Sequence, residues 1–433
     1  MGVQLLMMVA LTGALAPERV LTLAQALQTA QQHQPQLWQA RANAEAAGAR
    51  ADELRAPILP QVTLSASYQR TTANFVARPG TVPSAFTSSQ SGTSLDTFNY
   101  WSSGLTLNQF IWDFGQTTDR WRAARATAEA QNQTARAVEQ QIVAGVRGAY
   151  FTARAQKSLV QVAHENLNNL ELHLKQIEGF VAAGTRPKID LAQARADRAN
   201  GRVQVISAEN AYAVAKAQLN QAIGEPGSTS YEVQDETLPA VPGEDGDLAA
   251  LLDDALRARP ELLSLERQIR AQELTVSSVK GAYGPSLGAT MNLTDSGVDL
   301  TGLTWNWNAS VNLTWGLFQG LLTRSQVREA RANLSAVQAQ RAGLVNQVRV
   351  DVEQAHLQVR AAKATLEAVD EALTSSRERL RLAEGRYQSG VGSVIELGDA
   401  QVAASTSAAQ RIQAEYSLAS ARAALLKALG RGL

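Results

Sequence analysis

The chain has no cysteine among its 433 residues. That excludes disulfides, thiolate metal sites, cysteine nucleophiles and a lipid-modified N-terminal cysteine. Aromatic residues are scarce, at 5%, too few for a conventional packed α/β core. Ala, Gln, Arg and Leu fill long stretches instead, a composition that favours long helices. Formal net charge is zero and the pI is about 6.9, so no basic field points to nucleic acid. After the N-terminus no run approaches the ~20 apolar residues a membrane helix needs. A membrane location would have to use strands. The four histidines, His33, His164, His173 and His356, are scattered. His164 and His173 turn through ~900° on one helix and face opposite ways, so they form no metal pair. Phosphate loop, GxSxG and CxxC are all absent. The inventory points away from an enzyme, with no cofactor or metal expected.

Residues 1–16, MGVQLLMMVALTGALA, form an apolar run ending in Ala14-Leu15-Ala16. This resembles a secretory signal peptide with a small-x-small cleavage site, although no Lys or Arg precedes the run. A buried N-terminal helix is the alternative.

The rest is one plan written twice. QPQLWQARANAEAAGARADELRAPILPQVTLSAS from Gln34 aligns with RPELLSLERQIRAQELTVSSVKGAYGPSLGATMN from Arg259. Pro35 matches Pro260 and Pro60 matches Pro285, a constant offset of 225. WDFGQTTDRWRAARA from Trp112 then aligns with FQGLLTRSQVREARA from Phe318 at an offset of 206, which persists at Gly184/Gly390 and Asp190/Glu396. The difference is one indel, a long Ser/Thr/Gly-rich loop in the first copy against the short DSGVDLTGLT in the second. Self-similarity of this kind divides the chain into a first repeat (17–223), a linker rich in Gly, Pro and acids (224–247) and a second repeat (248–433).

Each copy has the same order of parts. A helix of about 20 residues stops at prolines (Pro57 and Pro60), which cannot continue the hydrogen-bond ladder. Alternating strands follow: VTLSASY and roughly Tyr100 to Trp112, then SLGATMNLT and WNWNASVNLTW. In the last, Trp305, Trp307, Ala309, Val311, Leu313 and Trp315 form one row, and Asn306, Asn308, Ser310, Asn312 and Thr314 the other. Alternate side chains of a strand point to opposite faces. At ~40° tilt this strand spans ~25 Å, the height of an outer-membrane apolar band with aromatic girdles. Trp305, Trp307, Trp315, Trp101 and Trp112 are the girdle candidates. Half of a soluble β-sandwich would also have an apolar inner face. Four strands cannot close a barrel, and open edges cannot sit in lipid, so the membrane reading requires an oligomer.

The segments from Gln116 to Ala183 and from Leu321 to Ser389 contain no proline and predict helices of ~100 Å at 1.5 Å per residue. They end at Gly184–Pro187 and at Gly390, Gly392 and Ser393, where glycine supplies a left-handed cap and Pro187 can start the next helix. Returning helices run from about Ile189 to Ile223 and from Val394 to Leu429. They carry two seams every seven residues: Leu191, Arg198, Val205, Tyr212, Leu219, and the all-small Ala194, Gly201, Ala208, Ala215, Ala222. The small seam recurs as Ala400, Ser407, Ala414, Ala421, Ala428. This is a coiled-coil pattern that lets helices approach closely.

Together these parts resemble the TolC family of outer-membrane efflux channels. The strings that carry the likeness are HQPQL and RPEL, ILPQV, WDFG and FQGL after the second strands, and YQSGVGSVIELGDAQ at the second turn; their order and duplication are more specific than any one of them. The resemblance implies an α+β membrane protein: a homotrimer whose four strands per chain form a 12-stranded β-barrel in the outer membrane, above a periplasmic coiled-coil α-barrel. It implies a waist built from the segment around Leu21 to Gln32, the linker and the C-terminal end. It further implies a passive exit duct for substrates expelled by an inner-membrane pump through a periplasmic adaptor, in efflux or type I secretion. A secreted or periplasmic coiled-coil structural or adaptor protein without a pore is the competing class, but it gives no reason for four alternating strands at equivalent points of a duplication.

By position, the family's pore-constricting acids correspond to Glu396 and Asp399, with Asp190 at the equivalent place in the first turn. Rings of carboxylate favour cations. Ser393-x-x-Glu396 also reads as a capping box, and Asp190 lies in a helix's first turn, where negative charge is favourable locally. Asp399 lacks such an explanation and is the better gate candidate. Tyr387 matches a residue that ties the closed turn in the family, whereas the family's linking arginine is replaced by Gly392.

Overall fold

The computed structural model describes residues 19–72, 95–227 and 231–432. The expected signal peptide and most of the long first-copy loop lie outside the described residues. The elements in chain order are β1 (Arg19–Leu21), α1 (Leu23–His33), α2 (Pro35–Arg55), β2 (Gln61–Thr72), β3 (Thr97–Trp112), α3 (Gln116–Ala182) and α4 (Lys188–Ile223). After the linker strand β4 (Tyr231–Val233) come α5 (Leu248–Ala258), α6 (Pro260–Gly281), β5 (Ser286–Gly297), β6 (Thr304–Thr314), α7 (Leu322–Gln388) and α8 (Val394–Ala428). Helix ends fall within one or two residues of those expected from Pro and Gly. The chain divides into two compact units.

One unit comprises Ala44–Gln131 and Leu265–Gln340. It holds a four-stranded antiparallel sheet in the order β2-β3-β5-β6. The two copies thus share one sheet, joined at β3–β5. Hairpin register repeats with the duplication: Gln61 pairs with Asn108, and Ser286 with Thr314. Neighbours in register share a face, so rows run across all four strands. Leu64, Leu105, Leu293 and Trp307 form an apolar row, and Thr63, Thr106, Asn292 and Asn308 a polar one. The polar row is laced by side chains, with Thr106 Oγ1 donating to Asn292 Oδ1 at 2.9 Å. Leu64, Leu105, Leu293 and Trp307 are all exposed in the single chain.

Each strand-to-helix turn uses two successive residues with positive φ: Phe114 and Gly115 (54° and 87°), and Gly320 and Leu321 (59° and 66°). These are equivalent positions in the two copies. Only glycine enters the left-handed region freely, and each copy keeps it at a different one of the two positions.

The other unit comprises Met1–Asn43, Asn132–Ser264 and Arg341–Leu433. Here α3 and α4 form an antiparallel hairpin, with Arg198 Nε 3.3 Å from Glu171 and Arg195 3.6 Å from Glu178. α7 and α8 form the matching one, with Arg411 Nε 2.6 Å from Asp370. The small seam is buried at Ala194, Gly201, Ala215, Ala400, Ala414, Ala421 and Ala428. A β-carbon on Gly201 would stand 2.8 Å from Leu170 Cδ1, direct evidence of close helix approach. The seam is not uniform, however. Ala208, Ala222 and Ser407 are half-buried, and Arg198 of the other seam is exposed, its charge satisfied by Glu171 rather than packed.

β1 pairs in parallel with β4, binding the chain's first described residues to the linker. Thr22 and Gln25 close a capping box on α1, and Asp247 caps α5 through Ala249 N at 3.3 Å. Leu21, Tyr231, Val233 and Leu238 enter a core with α1, α3 and α4, whereas Val241 joins one with α5, α7 and α8. Between these lies Glu244, 2% exposed. It accepts from Val241 N at 2.8 Å and from Arg422, and lies 2.7 Å from Lys363. Burial alone would raise its pKa. The hydrogen bonds from Arg422, Lys363 and the Val241 amide outweigh that and bring it down to about 2.

Candidate functional site

Both helix turns end in left-handed glycine caps, Gly184 at φ 72° and Gly390 at φ 78°. Thr185 N bonds back to Phe180 O at 3.0 Å, and its hydroxyl reaches the same oxygen at 2.9 Å. In the second turn Val391 N and Gly392 N both return to Arg386 O, at 3.1 and 2.9 Å. A side chain at position 392 would meet this backbone, since its β-carbon would fall 2.7 Å from Tyr387 N. The tight turn excludes an arginine there without rearrangement. Pro187 stands as the N-cap of α4.

A small core closes the turn end, built from Ile177, Ala194, Ala383, Tyr387, Leu397 and Ala400, so all four long helices contribute. Tyr387 is its centre, 2% exposed. Its ring meets His173 edge-on at 5.2 Å and Phe180 at 6.3 Å. Its hydroxyl is buried without a hydrogen-bond partner, and burial pushes its pKa up. His173 is pushed down by burial, against the field of Asp197.

The guanidinium of Arg186 lies 5.1 Å from the Tyr387 ring centre and donates to Gly392 O at 3.3 Å. Positions 186 and 392 are equivalent in the duplication. The arginine missing from the second turn is thus matched by one in the first, reaching across. The sequence carried one signal for this, an arginine at the position equivalent to the missing one.

The three acids do not converge within one chain. Asp190, half-buried in the first turn of α4, acts on Tyr387 through its charge. Glu396 turns toward α7, where Arg386 Nε is 3.7 Å away. The expected capping box is not formed: Ser393 caps α8 through Ile395 N at 3.2 Å, and Glu396 makes the ion pair instead. Asp399 is exposed and faces the other flank of α8, lining a groove of about 730 Å³ with His173, Asp197 and Asn200.

The girdle candidates lie in the sheet unit. Trp305, Trp307, Trp315 and Trp112 are exposed. Trp101 is half-buried against Tyr68, its partner in register, at 4.5 Å between ring centres. Trp112 contacts Phe114 at 3.9 Å. Among the described residues no cluster of His, Asp or Glu has the make-up of a metal site.

Comparison with known proteins places this architecture. The family model described as outer membrane efflux protein matches residues 26–225 and 251–431. Protein CyaE of Bordetella pertussis is 29% identical over 391 residues, which cover 88% of this chain and 78% of CyaE. Outer membrane protein OprJ of Pseudomonas aeruginosa is 27% identical, over 69% of this chain and 63% of OprJ. The fold matches the crystal structure of the Campylobacter jejuni CmeC outer membrane channel with a TM-score of 0.82 at 20% identity, covering 95% of this chain and 86% of that one. With the family model spanning both copies of the duplication, the chain belongs to the outer membrane efflux protein family.

Proposed function

We propose that three copies of this outer-membrane efflux protein assemble into a passive exit duct. Their twelve strands close a β-barrel in the outer membrane, and their helices enclose a tunnel through the periplasm. An inner-membrane transporter delivers substrate to it through a periplasmic adaptor, in efflux or type I secretion. The duct does no chemistry on what passes. The observation that carries this reading is the sheet: one face is predominantly apolar across four strands, interrupted by Ser103, Gln109 and Asp295, the opposite face is mainly Ser, Thr and Asn, and both edges, β2 and β6, are unpaired among the described residues. Lipid cannot satisfy such edges, and pairing β6 of one copy with β2 of the next removes them. Native mass measurement in detergent is expected to give a trimer. A stable monomer would refute the assembly.

The periplasmic mouth is assigned to the turns Gly184–Pro187 and Gly390–Ser393. Arg186 and Tyr387 hold the two turns of one chain together there, while Asp399, Glu396 and Asp190 supply carboxylates that, repeated in three copies, favour cations.

A further inference from the structure

The second copy of the duplicated plan carries a basic groove that the first does not. It lies in the sheet-bearing unit, where α6 ends and α7 begins, and has a volume of about 760 Å³. Lys280, Arg324, Arg328 and Arg331 line it beside Tyr283 and Leu321. At ~100° per residue the three arginines fall within ~60° of one another, and Glu329 lies ~100° further round the helix. Among the described residues none of the four cations is ion-paired.

The equivalent positions in the first copy are Arg55, Thr118, Arg122 and Arg125. There the arginines are occupied: Arg122 NH1 is 3.2 Å from Asp119, Arg125 is 3.8 Å from Glu129, and Arg55 lies over the Trp121 ring. In the second copy Ser325 replaces Asp119, Ser335 replaces Glu129 and Arg324 replaces Thr118. On this face the acids have gone and a cation has been added, although both copies fold alike. The fold does not demand the charge.

The groove's neighbours are apolar and uncovered. The Trp315 indole donates to Tyr283 O at 3.0 Å, and Trp315 continues the apolar row of β6. The groove therefore opens beside the apolar face of the sheet. Leu317, Phe318 and Leu322, in the segment that leads from β6 into α7 and flanks the groove-lining Leu321 in sequence, are 79%, 84% and 52% exposed. Guanidinium groups bind phosphate oxygens in pairs, but a free phosphate would leave this apolar rim in water. An amphiphile would fill both parts.

We propose that this groove binds the phosphate headgroup of an anionic phospholipid, whose acyl chains lie on the apolar rim at the periplasmic end of the strands. The proposal rests on the apolar face meeting lipid. Detergent-purified protein would be titrated with phosphatidylglycerol and, separately, with phosphatidylcholine, and bound lipid counted by native mass spectrometry. Phosphatidylglycerol should be preferred, and Arg324→Gln/Arg328→Gln should weaken its binding by roughly ten-fold or more, since each cation near a phospholipid surface contributes comparably. Arg349→Gln/Arg360→Gln, elsewhere on α7, should not. Equal retention of the two lipids, or an unchanged double variant, would overturn the proposal. So would displacement of the lipid by millimolar inorganic phosphate, which would indicate a simple anion site. A trimer without lipid preference refutes this site alone, whereas a stable monomer refutes the duct as well.

Discussion

Arg422 grips Glu244 with two nitrogens, NH2 at 2.8 Å from Oε1 and Nε at 3.1 Å from Oε2, in a place from which water is almost wholly excluded. The pair joins the linker to α8, and Lys363 adds α7. Removing one member of a buried, hydrogen-bonded pair costs about 3–5 kcal/mol. Glu244→Gln should therefore destabilise the helical unit by that order in chemical denaturation. The pH dependence has a definite sign. The folded pKa is lowered from 4.5 to about 2, so the stabilisation is present above about pH 4.5 and is lost as pH falls toward 2. Glu244→Gln should abolish this component of acid sensitivity. An unchanged acid profile in the variant would show that other carboxylates control it.

Tyr387 gives a contrast between packing and polarity. Tyr387→Phe keeps the ring and removes a buried hydroxyl that has no partner, so stability should be unchanged or higher. Tyr387→Ala empties the turn core and should cost about 3–5 kcal/mol. Arg186→Ala loses one hydrogen bond and a cation–π contact of about 0.5–1 kcal/mol. It should raise resting conductance in planar bilayers while leaving assembly intact. Wild-type conductance in Arg186→Ala would remove the latch role.

Asp399→Asn should weaken cation selectivity and block by divalent or trivalent cations without altering assembly. Glu396→Gln should affect selectivity less. Its ion pair with Arg386 is long and exposed, and such pairs contribute about 0–1 kcal/mol, so stability should scarcely change. If Asp399→Asn leaves both selectivity and block untouched, the carboxylate assignment fails.

The small seam makes an unequal prediction. Overpacking a tight contact costs about 1–3 kcal/mol. Ala414 is buried and Ala208 only half-buried, so Ala414→Leu should reduce assembled yield more than Ala208→Leu, and both more than Val205→Leu. Equal yields on size-exclusion chromatography would show that the seam does not set helix approach.

Most of the architecture was legible in the sequence because it is periodic and stated twice. Alternation in WNWNASVNLTW exposes two faces, and proline and glycine mark helix ends to within a residue or two. What escaped depends on contacts between distant segments. Glu244 lies in a linker rich in acids, where nothing local distinguishes the one that becomes buried. Gly392 read as the loss of a linking arginine, and only the packing of four helices shows Arg186 arriving from the equivalent position. The capping box at Ser393 failed because Arg386, ten residues earlier on α7, competes for Glu396. The union of both copies in one sheet could not be inferred from hairpins, since nothing within β3 or β5 names its partner across the repeat.

That union has a geometric consequence. The β3–β5 junction joins the second strand of one copy to the first strand of the other, which is also the relation that the proposed trimer gives β6 of one subunit and β2 of its neighbour. If every junction in the ring is quasi-equivalent, the register inside the chain specifies the register between chains. Thr106 faces Asn292 and Leu105 faces Leu293; carried through the duplication, Asn312 should face Ser67 of the adjacent subunit, and Val311 should face Tyr68. Polar meets polar and apolar meets apolar, as a continuous wall requires. Because the chain has no cysteine, Asn312→Cys with Ser67→Cys offers a background-free crosslink of neighbouring subunits, and shifting either cysteine by one residue should abolish it.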